Sequence, residues 1–389
     1  MKNIKYKLNA PYSYQIYSHT SQLPENWNDL AANNVFLTRE YLEILDKSAP
    51  ENMICHFIGI FGKEALIGIA LAQFLDLNKL KSFGERDKCI KASVRNYLFR
   101  NFSSHILILG NNMLSGQNAF SFVKNANGIL AIQTLKVAMR ELKNLFKSKG
   151  NKIHLSTFKD FYSNEINLFD NPEFKNNLKF STQPNMIFTI REEWKTEHDY
   201  IESLSKKYRD QYKRARKKIV GIEKRKMSLH EIIAYEETIY DLYFHVAKNA
   251  SFNTFFLPRN HFRVFKEKLK DKFLFYGYFF DEKLIGFNTL IKNGDALDTY
   301  FLGYDDNIQR EKMLYLNMLY DMIAYCINKG FKKIIFARTA LEIKSSVGAK
   351  PIKMFGFMEH SNPFINKNLA AFFDYLEPKT IWQERNPFK

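Results

Sequence analysis

Five polar side chains in the last quarter of the chain are of types that carry out acid–base or anion-binding chemistry. Arg338, Glu342 and Lys344 follow a short apolar run, at the point where a predicted strand gives way to a helix. Arg338 could clamp a carboxylate or phosphate, or pair with Glu342 one turn further on. Asp298 and Tyr300 lie two residues apart on another predicted strand and therefore share one face. If that face lines a cleft, Asp298 is a candidate base and Tyr300 a candidate proton donor; otherwise polar loops cover it.

The elements that position these residues form a compact β-rich pattern. Aromatic and apolar runs predict strands, and apolar residues at helical spacing predict a helix that ends at Gly330. In chain order the predictions are a strand (273–280), a turn (281–283), a second strand (284–291), a third strand (296–303), a helix (313–329) and a returning strand (334–337).

The composition indicates two domains and an anionic partner. At 389 residues the chain is too long for one ordinary domain, and its 46% apolar content can fill two cores. The net charge of +17 favours a nucleic acid, a phosphorylated cofactor or an anionic membrane surface. Charge alone does not choose among the three.

The cysteines, histidines and hydropathy favour a cytoplasmic protein that uses no metal. Cys55, Cys89 and Cys326 are odd in number and form no C-x-x-C pair, which is typical of a reducing compartment. The nine histidines show no spacing typical of a metal site. The longest uncharged apolar run, 65–75, is too short to span a bilayer, so we expect no integral membrane segment.

An internal repeat supports the division into two domains. The pattern F-x-G-x-F-x-x-E-x-L-I-G occurs at 57–68 and again at 275–286, with seven identical residues in twelve positions. Three further blocks match in the same order: F-L-x-R at 36–39 and 256–259, L-G at 109–110 and 302–303, and K-G-x-K at 149–152 and 329–332. Such a repeat predicts two copies of one structural unit. We predict an N-terminal segment (1–34), a first domain (35–160) with an insertion (76–128), a connection (161–185) and a second domain (186–389).

The most charged element is a predicted amphipathic basic helix over residues 203–220. The stretch 203–226 holds eleven Lys or Arg and two acidic residues, and one helical stripe is apolar. Either the charged face is simply solvated, or it supplies cations to a phosphate-bearing ligand. The candidates for that contact are Lys207, Arg209, Lys213, Arg214, Lys217 and Lys218.

Three stretches together resemble one family. They are S-L-S-K-K-Y-R-D-Q-Y-K-R-A-R-K-K at 203–218, Y-F-L-G-Y-D at 300–305 and R-T-A-L-E-I-K-S-S-V-G-A-K-P at 338–351. These stretches resemble those of the Fem-type aminoacyl transferases and their bacterial relatives within the acyl-CoA N-acyltransferase (GNAT) superfamily. This resemblance implies an α/β (α+β) protein of two tandem GNAT-like domains, each a mixed β-sheet flanked by helices, with the basic helix between them. The close match covers residues 190–389, and the first half matches by repeat and order.

The resemblance implies an acyl or aminoacyl transferase that moves an acyl group to a substrate amine. Its donor is then acyl-CoA or aminoacyl-tRNA. Lys344 matches a lysine that lies near the reacting carbonyl in Fem-like relatives, the alternative being an exposed surface lysine. One place departs from the coenzyme A pattern, because Asp305 and Asp306 follow the third strand where GNAT enzymes hold a pyrophosphate at a helix N-terminus. Two carboxylates there would repel a pyrophosphate.

The sequence therefore predicts a metal-independent transferase with an anionic donor and an amine-bearing acceptor. Peripheral contact with an anionic membrane is left open. The predicted catalytic residues are Lys344, Asp298 and Tyr300, with substrate contacts from Arg338, Glu342 and the basic helix. The alternative is a non-enzymatic nucleic-acid-binding protein that uses the basic helix; no recognised reading motif accompanies that helix.

Overall fold

The chain folds as two compact units, each built on a mixed β-sheet flanked by helices. A computed structural model describes residues 6–7, 12–31, 33–80, 103–250, 253–376 and 382–389. Unit 1 comprises Met1–Thr182, Ser251–Pro258 and Lys353–Lys379, and unit 2 comprises Gln183–Ala250, Arg259–Ile352 and Thr380–Lys389. The predicted fold class is confirmed.

The elements are numbered in chain order. The strands are β1 (Tyr6–Lys7), β2 (Tyr12–Tyr17), β3 (Met53–Gly62), β4 (Ala65–Asp76), β5 (His105–Leu109), β6 (Phe120–Phe122), β7 (Leu155–Phe161), β8 (Leu178–Phe180), β9 (Asn185–Thr189), β10 (Glu223–Lys226), β11 (Phe273–Phe280), β12 (Lys283–Asn293), β13 (Ala296–Tyr304), β14 (Lys333–Ala337), β15 (Lys350–Ile352) and β16 (Phe355–His360). The α-helices are α1 (Trp27–Leu30), α2 (Arg39–Ser48), α3 (Gly128–Ser148), α4 (Glu197–Ser203), α5 (Lys206–Lys218), α6 (Leu229–Ala234), α7 (Glu236–Lys248), α8 (His261–Leu269), α9 (Asp306–Lys312), α10 (Leu314–Asn328), α11 (Leu341–Ser346), α12 (Pro363–Lys367) and α13 (Leu369–Leu376).

The sheet of unit 1 has the strand order β1-β2-β3-β4-β5-β7-β16-β8, and β6 also pairs with β4. Strands β5 and β7 run parallel. Helix α3 lies in the connection between them and packs on the sheet, with Ala131, Leu135 and Leu142 fully buried. Their spacing of four and seven residues places these side chains on one helical face.

The sheet of unit 2 has the order β10-β11-β12-β13-β14-β9-β15. Strands β13 and β14 run parallel, and α9 and α10 form the connection between them. Helix α10 supplies Met318, Leu319 and Met322 to a core that also contains Leu297 and Phe336 of the sheet. Both units thus contain a hairpin, a third strand, a helix and a returning strand in the predicted order, and the returning strand runs parallel to the third.

The hairpins that open the two repeats match in their turns. Lys63 and Glu64, between β3 and β4, have φ of 51° and 89°, while Asp281 and Glu282, between β11 and β12, have φ of 46° and 60°. Positive φ at both central residues is the geometry of a type I′ turn, whose twist matches that of the flanking strands. Each hairpin also has a register shift at the phenylalanine of its F-x-x-E stretch. The internal repeat is therefore structural.

The compact units differ from the predicted domains at four places, one of which is Ser251–Pro258, assigned to unit 1. The segment 1–34 contributes β2, which pairs with β3. The predicted connection 161–185 contributes β8 to the sheet of unit 1. Within the predicted domain 186–389, β16 belongs to unit 1, because it pairs with both β7 and β8. A sequence pattern predicts that a segment is a strand, but not which strand edge satisfies its backbone groups.

The structure refines the predictions for the insertion and for the basic helix. The insertion 76–128 contains β5 and β6, and its residues 81–102, including Cys89, lie outside the described chain. The basic helix predicted over 203–220 is α5 alone, because α4 ends at Ser203 and Leu204 forms a β-bridge with Phe388. The helix belongs to unit 2.

Helix α7 packs against β13 at Gly303. A Cβ at this position would lie 2.5 Å from the backbone carbon of Leu242 and 2.6 Å from the backbone nitrogen of Tyr243. Both atoms belong to the backbone of α7, so a side chain could be accommodated only by displacing the helix. The glycine therefore fixes the distance between α7 and the central strand of unit 2.

We expect Gly303→Ala to destabilise the protein by roughly 2 kcal/mol or more, because the new methyl group meets backbone atoms. Gly62→Ala is the matched control, since its Cβ would meet side-chain atoms at 3.4 to 3.5 Å, an ordinary contact. Urea unfolding of both variants measures the difference. Equal stability of the two variants would contradict this packing.

Candidate active site

The candidate site is organised around the point where β13 and β14 diverge. The two strands pair over 296–298 and 333–335. At the end of this ladder, Thr299 Oγ1 donates a hydrogen bond to the Ile335 carbonyl oxygen at 3.0 Å. Strand β13 then continues to Tyr304 along β12, while β14 continues to Ala337 along β9. The facing edges of the two strands therefore separate beyond this point.

A bulge in β13 lies next to the divergence. Tyr300 and Phe301 together lie opposite the single residue Thr289 of β12, whose hydroxyl donates to the Phe301 carbonyl oxygen at 2.6 Å. Tyr300 contacts His261 of α8, and Phe301 contacts Tyr243 of α7. Both rings therefore face the same layer of helices.

Lys344 is a buried lysine held against the end of β14. Helix α11 begins after Ala340, which has φ of 52°, and the Lys344 residue is only 4% exposed. Its Nζ donates a hydrogen bond to the Phe336 carbonyl oxygen at 2.5 Å. Burial lowers its pKa to about 7, because desolvation disfavours the ammonium form. Lys344 is therefore not an exposed surface lysine, and at neutral pH both of its protonation states are populated.

Asp298 is a second buried group that titrates near neutrality. Burial raises its pKa to about 7, while the Asn293 side chain, 3.2 Å away, and the charge of Lys333 partly oppose the shift. Its neighbour Leu297 packs in the core beneath α10, so alternation along the strand directs Asp298 to the other face. Tyr300 lies on that same face, and helices rather than polar loops cover its ring.

The hydroxyl of Tyr300 is paired with a histidine that the sequence analysis did not single out. It lies 2.9 Å from Nε2 of His261, a fully buried residue in the first turn of α8. The ring of Phe265 also packs on Tyr300, with centroids 4.8 Å apart. His261 is 39 residues from Tyr300 in the chain, and an isolated histidine at a helix start gives no spacing signal.

The three predicted catalytic residues come from two elements next to the divergence. Asp298 and Tyr300 share one face of β13, whereas Lys344 belongs to α11 and contacts the end of β14. The ladder between the strands pairs Asp298 with Ile335, the residue before Phe336, whose carbonyl oxygen accepts the hydrogen bond from Lys344.

The two other predicted residues near Lys344 differ in their surroundings. Glu342 is exposed, and its carboxylate accepts hydrogen bonds from Nε of Arg385, at 3.1 Å, and from Nη2. These bonds lower the pKa of Glu342. Arg338 is half-buried and directly follows Ala337, where β14 ends with a positive φ of 60°. Glu342 thus pairs with Arg385, and Arg338 stands at the mouth of the divergence.

Helix α5 presents most of the predicted ligand-binding cations to solvent. Arg209 is half-buried, and its Nη1 lies 3.7 Å from the Glu202 carboxylate. The other five are exposed and form no ion pair within the described residues; they are Lys207, Lys213, Arg214, Lys217 and Lys218. On the opposite side Tyr208 and Ala215 are buried in the core of unit 2, which confirms the predicted apolar stripe.

The most firmly held cation of α5 is Arg216, which was not among the predicted site residues. Its guanidinium donates to Asp321 at 2.7 Å, to Glu197 at 2.8 Å and to Asn317 at 3.3 Å. Burial opposes its charge, but these carboxylates raise its pKa overall. Its position four residues after Tyr212, on the apolar stripe, is the sequence signal for an inward-facing cation.

Two carboxylates, Asp305 and Asp306, lie at the start of α9, directly after β13. Asp305 caps α9 by accepting a hydrogen bond from the Asn307 backbone N–H at 2.9 Å. Oδ2 of Asp306 lies 2.8 Å from Nε2 of His245. The start of this helix therefore already carries the negative charge that its N–H groups favour.

The described residues contain no group of three or more His, Cys, Asp or Glu side chains arranged to hold a metal ion. Among their helices, none is both long and apolar enough to cross a membrane.

Comparison with known proteins identifies the fold. No family model and no curated protein matches the sequence. FemX matches in structure over 90% of this chain and 99% of its own, with a TM-score of 0.51 and 11% identity. A tandem GNAT protein of clavulanic acid biosynthesis covers 84% of this chain and 89% of its own (TM-score 0.46, 9% identity), and L-PGS from Bacillus licheniformis covers 85% and 94% (TM-score 0.43, 10% identity). The likeness to FemX confirms the predicted resemblance at the level of the fold.

We expect Lys344→Met to stabilise the protein at pH 7. The folded-state pKa of Lys344, about 7, lies below the pKa of an unfolded lysine. At pH values between these two, the unfolded chain therefore binds one more proton than the folded chain. Wild-type stability should therefore rise between pH 7 and pH 10, and methionine removes this dependence. At pH 7 the free energy of unfolding of Lys344→Met should exceed that of the wild type by on the order of 2–4 kcal/mol, after allowance for the Phe336 carbonyl oxygen that loses its hydrogen bond.

Urea unfolding at pH 7 and pH 10 measures this effect. The difference between variant and wild type should shrink towards pH 10. A constant difference at the two pH values would mean that Lys344 has an ordinary pKa in solution.

Proposed function

We propose that the protein transfers an acyl or aminoacyl group to a substrate amine, with Lys344 at the reacting carbonyl. The supporting observation is the buried Lys344 amine beside the divergence of β13 and β14, in a chain whose fold is like that of FemX. Attack of an amine on an ester or thioester carbonyl builds negative charge on the carbonyl oxygen. A cation already placed in a water-poor site stabilises that charge much more than an exposed lysine does.

The other candidate residues have supporting roles in this proposal. Arg338, at the mouth of the divergence, anchors a carboxylate or phosphate of a substrate, because its guanidinium matches either group in two-point contact. Asp298 and Tyr300 stay predicted as base and proton donor. The contact between Tyr300 and His261 supports the second role, since a bound imidazole can take up or return the hydroxyl proton.

Of the two donor classes, we favour aminoacyl-tRNA over acyl-CoA. Asp305 and Asp306 occupy the start of α9, which leaves that helix poorly suited to a pyrophosphate. Helix α5 instead offers a row of exposed cations along 13 residues. Such a row matches the spaced phosphates of an RNA strand better than the few phosphates of one coenzyme. The acceptor in this proposal is a substrate amine.

An anionic membrane is a weaker partner for α5 than RNA. A helix that inserts into the membrane interface must have a free apolar face. The apolar stripe of α5, with Tyr208 and Ala215, is instead buried in the core of unit 2. Membrane contact through this helix would therefore rest on its charges alone.

The role of Lys344 predicts a specific pH dependence of transfer. If the ammonium form is required, kcat/KM should fall as the pH rises through about 7, the pKa of Lys344. Lys344→Arg keeps its charge and should lose this alkaline limb. Lys344→Ala should lower kcat by about a hundredfold, whereas Arg338→Ala should chiefly raise KM.

Steady-state kinetics with charged tRNA or acyl-CoA and a panel of amines, between pH 5.5 and 9, test these expectations. A rate that rises through pH 7 and is abolished by Lys344→Arg would assign Lys344 the role of a base. Near-normal turnover of Lys344→Ala would remove it from the site.

The donor assignment predicts the effect of reversing charge on α5. Changing Lys213, Arg214, Lys217 and Lys218 to Glu should weaken tRNA binding steeply at low salt and less at high salt, because exposed charges are screened. The matched control makes the same charge change at four exposed lysines of unit 1: Lys47, Lys124, Lys147 and Lys175.

Filter binding and transfer assays at two salt concentrations separate the possible outcomes. Weaker tRNA binding together with lost transfer supports the proposal. Equal weakening by the control variant would mean that net charge, and not α5, binds the RNA. RNA binding without any transfer to an amine would favour the non-enzymatic alternative.

A further inference from the structure

We propose that the segment 382–389 is a brace that positions Lys344, and that Arg385 and Phe388 are its positioning residues. The inference rests on the proposed function, because it takes Lys344 to be the amine at the reacting carbonyl. It concerns residues that neither the sequence patterns nor the fold comparison singles out. The contacts that carry it all lie within unit 2.

Helix α11 needs outside support to hold a buried lysine. It has six residues, starts from Ala340 in the left-handed region, and no side chain caps its start. Isolated helices of fewer than about 12 residues are marginal in water. The desolvated amine of Lys344 adds an unfavourable term, since local opening of α11 would let it regain water.

Arg385 binds α11 on both sides of Lys344 in sequence. Its backbone N–H donates a hydrogen bond to Oγ of Ser345 at 3.0 Å, and Ser345 is fully buried. Its guanidinium donates to the Glu342 carboxylate through Nε, at 3.1 Å, and through Nη2. One residue of the brace therefore contacts the helix at positions 342 and 345.

Phe388 packs against the residues that directly follow α11. A Cβ at Gly348, which has φ of 111°, would lie 2.4 Å from Cζ of Phe388, so the ring lies directly against the backbone there. On its other sides the ring contacts Trp194, with centroids 5.6 Å apart, and the Arg191 guanidinium, 4.4 Å from the ring centroid. The ring thus packs between two parts of unit 2, the stretch 191–194 and the residues after α11.

The same segment is also fixed to the start of the basic helix. The Ser205 N–H donates to the Pro387 carbonyl oxygen at 2.8 Å, and the Lys389 N–H donates to the Ser203 carbonyl oxygen at 3.1 Å. Leu204 and Phe388 form an antiparallel β-bridge. The brace therefore ties the junction of α4 and α5 to the helix that carries Lys344.

The brace explains how the Lys344 amine stays desolvated and in one position. While Arg385 and Phe388 hold α11 in place, Nζ keeps its hydrogen bond to the Phe336 carbonyl oxygen and is shielded from water. If the brace is loosened, α11 opens more often, and the amine becomes hydrated and accessible to reagents. Transfer then slows because the cation is less well placed, although substrate contacts elsewhere are unchanged.

The test uses Arg385→Ala and Phe388→Ala in the full chain. Gln383→Ala is the matched control, because this exposed side chain lies in the same segment. Both Arg385→Ala and Arg385→Lys keep the backbone N–H that donates to Ser345, so they test the contact with Glu342; Arg385→Lys keeps a cation near Glu342 and should recover part of the effect. The first readout is the rate at which acetic anhydride labels Lys344, followed by mass spectrometry. The second is amide hydrogen exchange of 341–349.

Both alanine variants should label Lys344 about tenfold faster than Gln383→Ala and exchange faster over 341–349, as expected for more frequent local opening. They should also lower kcat with little change in KM. Urea unfolding shows whether global stability has changed, and labelling under native conditions keeps the test valid for a destabilised variant. Labelling and kcat equal to those of Gln383→Ala would overturn the inference. Absence of transfer in the wild type would refute the proposed function instead, and labelling would still decide whether the brace holds Lys344.

Discussion

The candidate site is organised around a lysine amine, that of Lys344, which is buried against the Phe336 carbonyl oxygen. A fall in pKa from 10.5 to about 7 corresponds to roughly 5 kcal/mol of unfavourable desolvation of the ammonium form. Surrounding packing must offset this energy for α11 to stay closed. Tyr200, whose hydroxyl donates to the Val347 carbonyl oxygen at 3.0 Å, is part of that packing. The strand end, the short helix and their neighbours are thus best understood as the support of one desolvated group.

Three backbone irregularities lie close to this support. Strand β14 ends in a residue with positive φ, Ala337, and α11 starts from another, Ala340. Strand β13 bulges at Tyr300 as it leaves β14. Bulges and left-handed residues redirect a chain over a short distance, and they persist only where the surrounding structure holds them. Ala337, Ala340 and the bulge at Tyr300 thus redirect the chain on both sides of the divergence.

Much of unit 2 could be predicted from the sequence because its signals are local. The hairpin with its turn at Asp281 and Glu282, the helix α10 and the returning strand β14 all follow from patterns a few residues long. The repeat extended the same pattern to unit 1. What could not be predicted depends on partners distant in sequence. His261 meets Tyr300 across 39 residues, Arg385 meets Glu342 across 43, and β16 joins β7 from the far end of the chain.

The charge of α5 shows why such distant partners decide what a pattern means. Composition alone treats its lysines and arginines as one basic run. In the structure Arg216 turns inward to Asp321 and Glu197, while the exposed cations have no ion pair within the described residues. Gln211 on the inner side also reaches α11, with Nε2 3.4 Å from Oγ of Ser346. The helix is therefore a fixed part of unit 2, and its outer charges stand at a set position relative to Lys344. In the proposed reaction this arrangement matters, because an ester held by its distant phosphates would react only if its carbonyl were positioned accurately against Lys344.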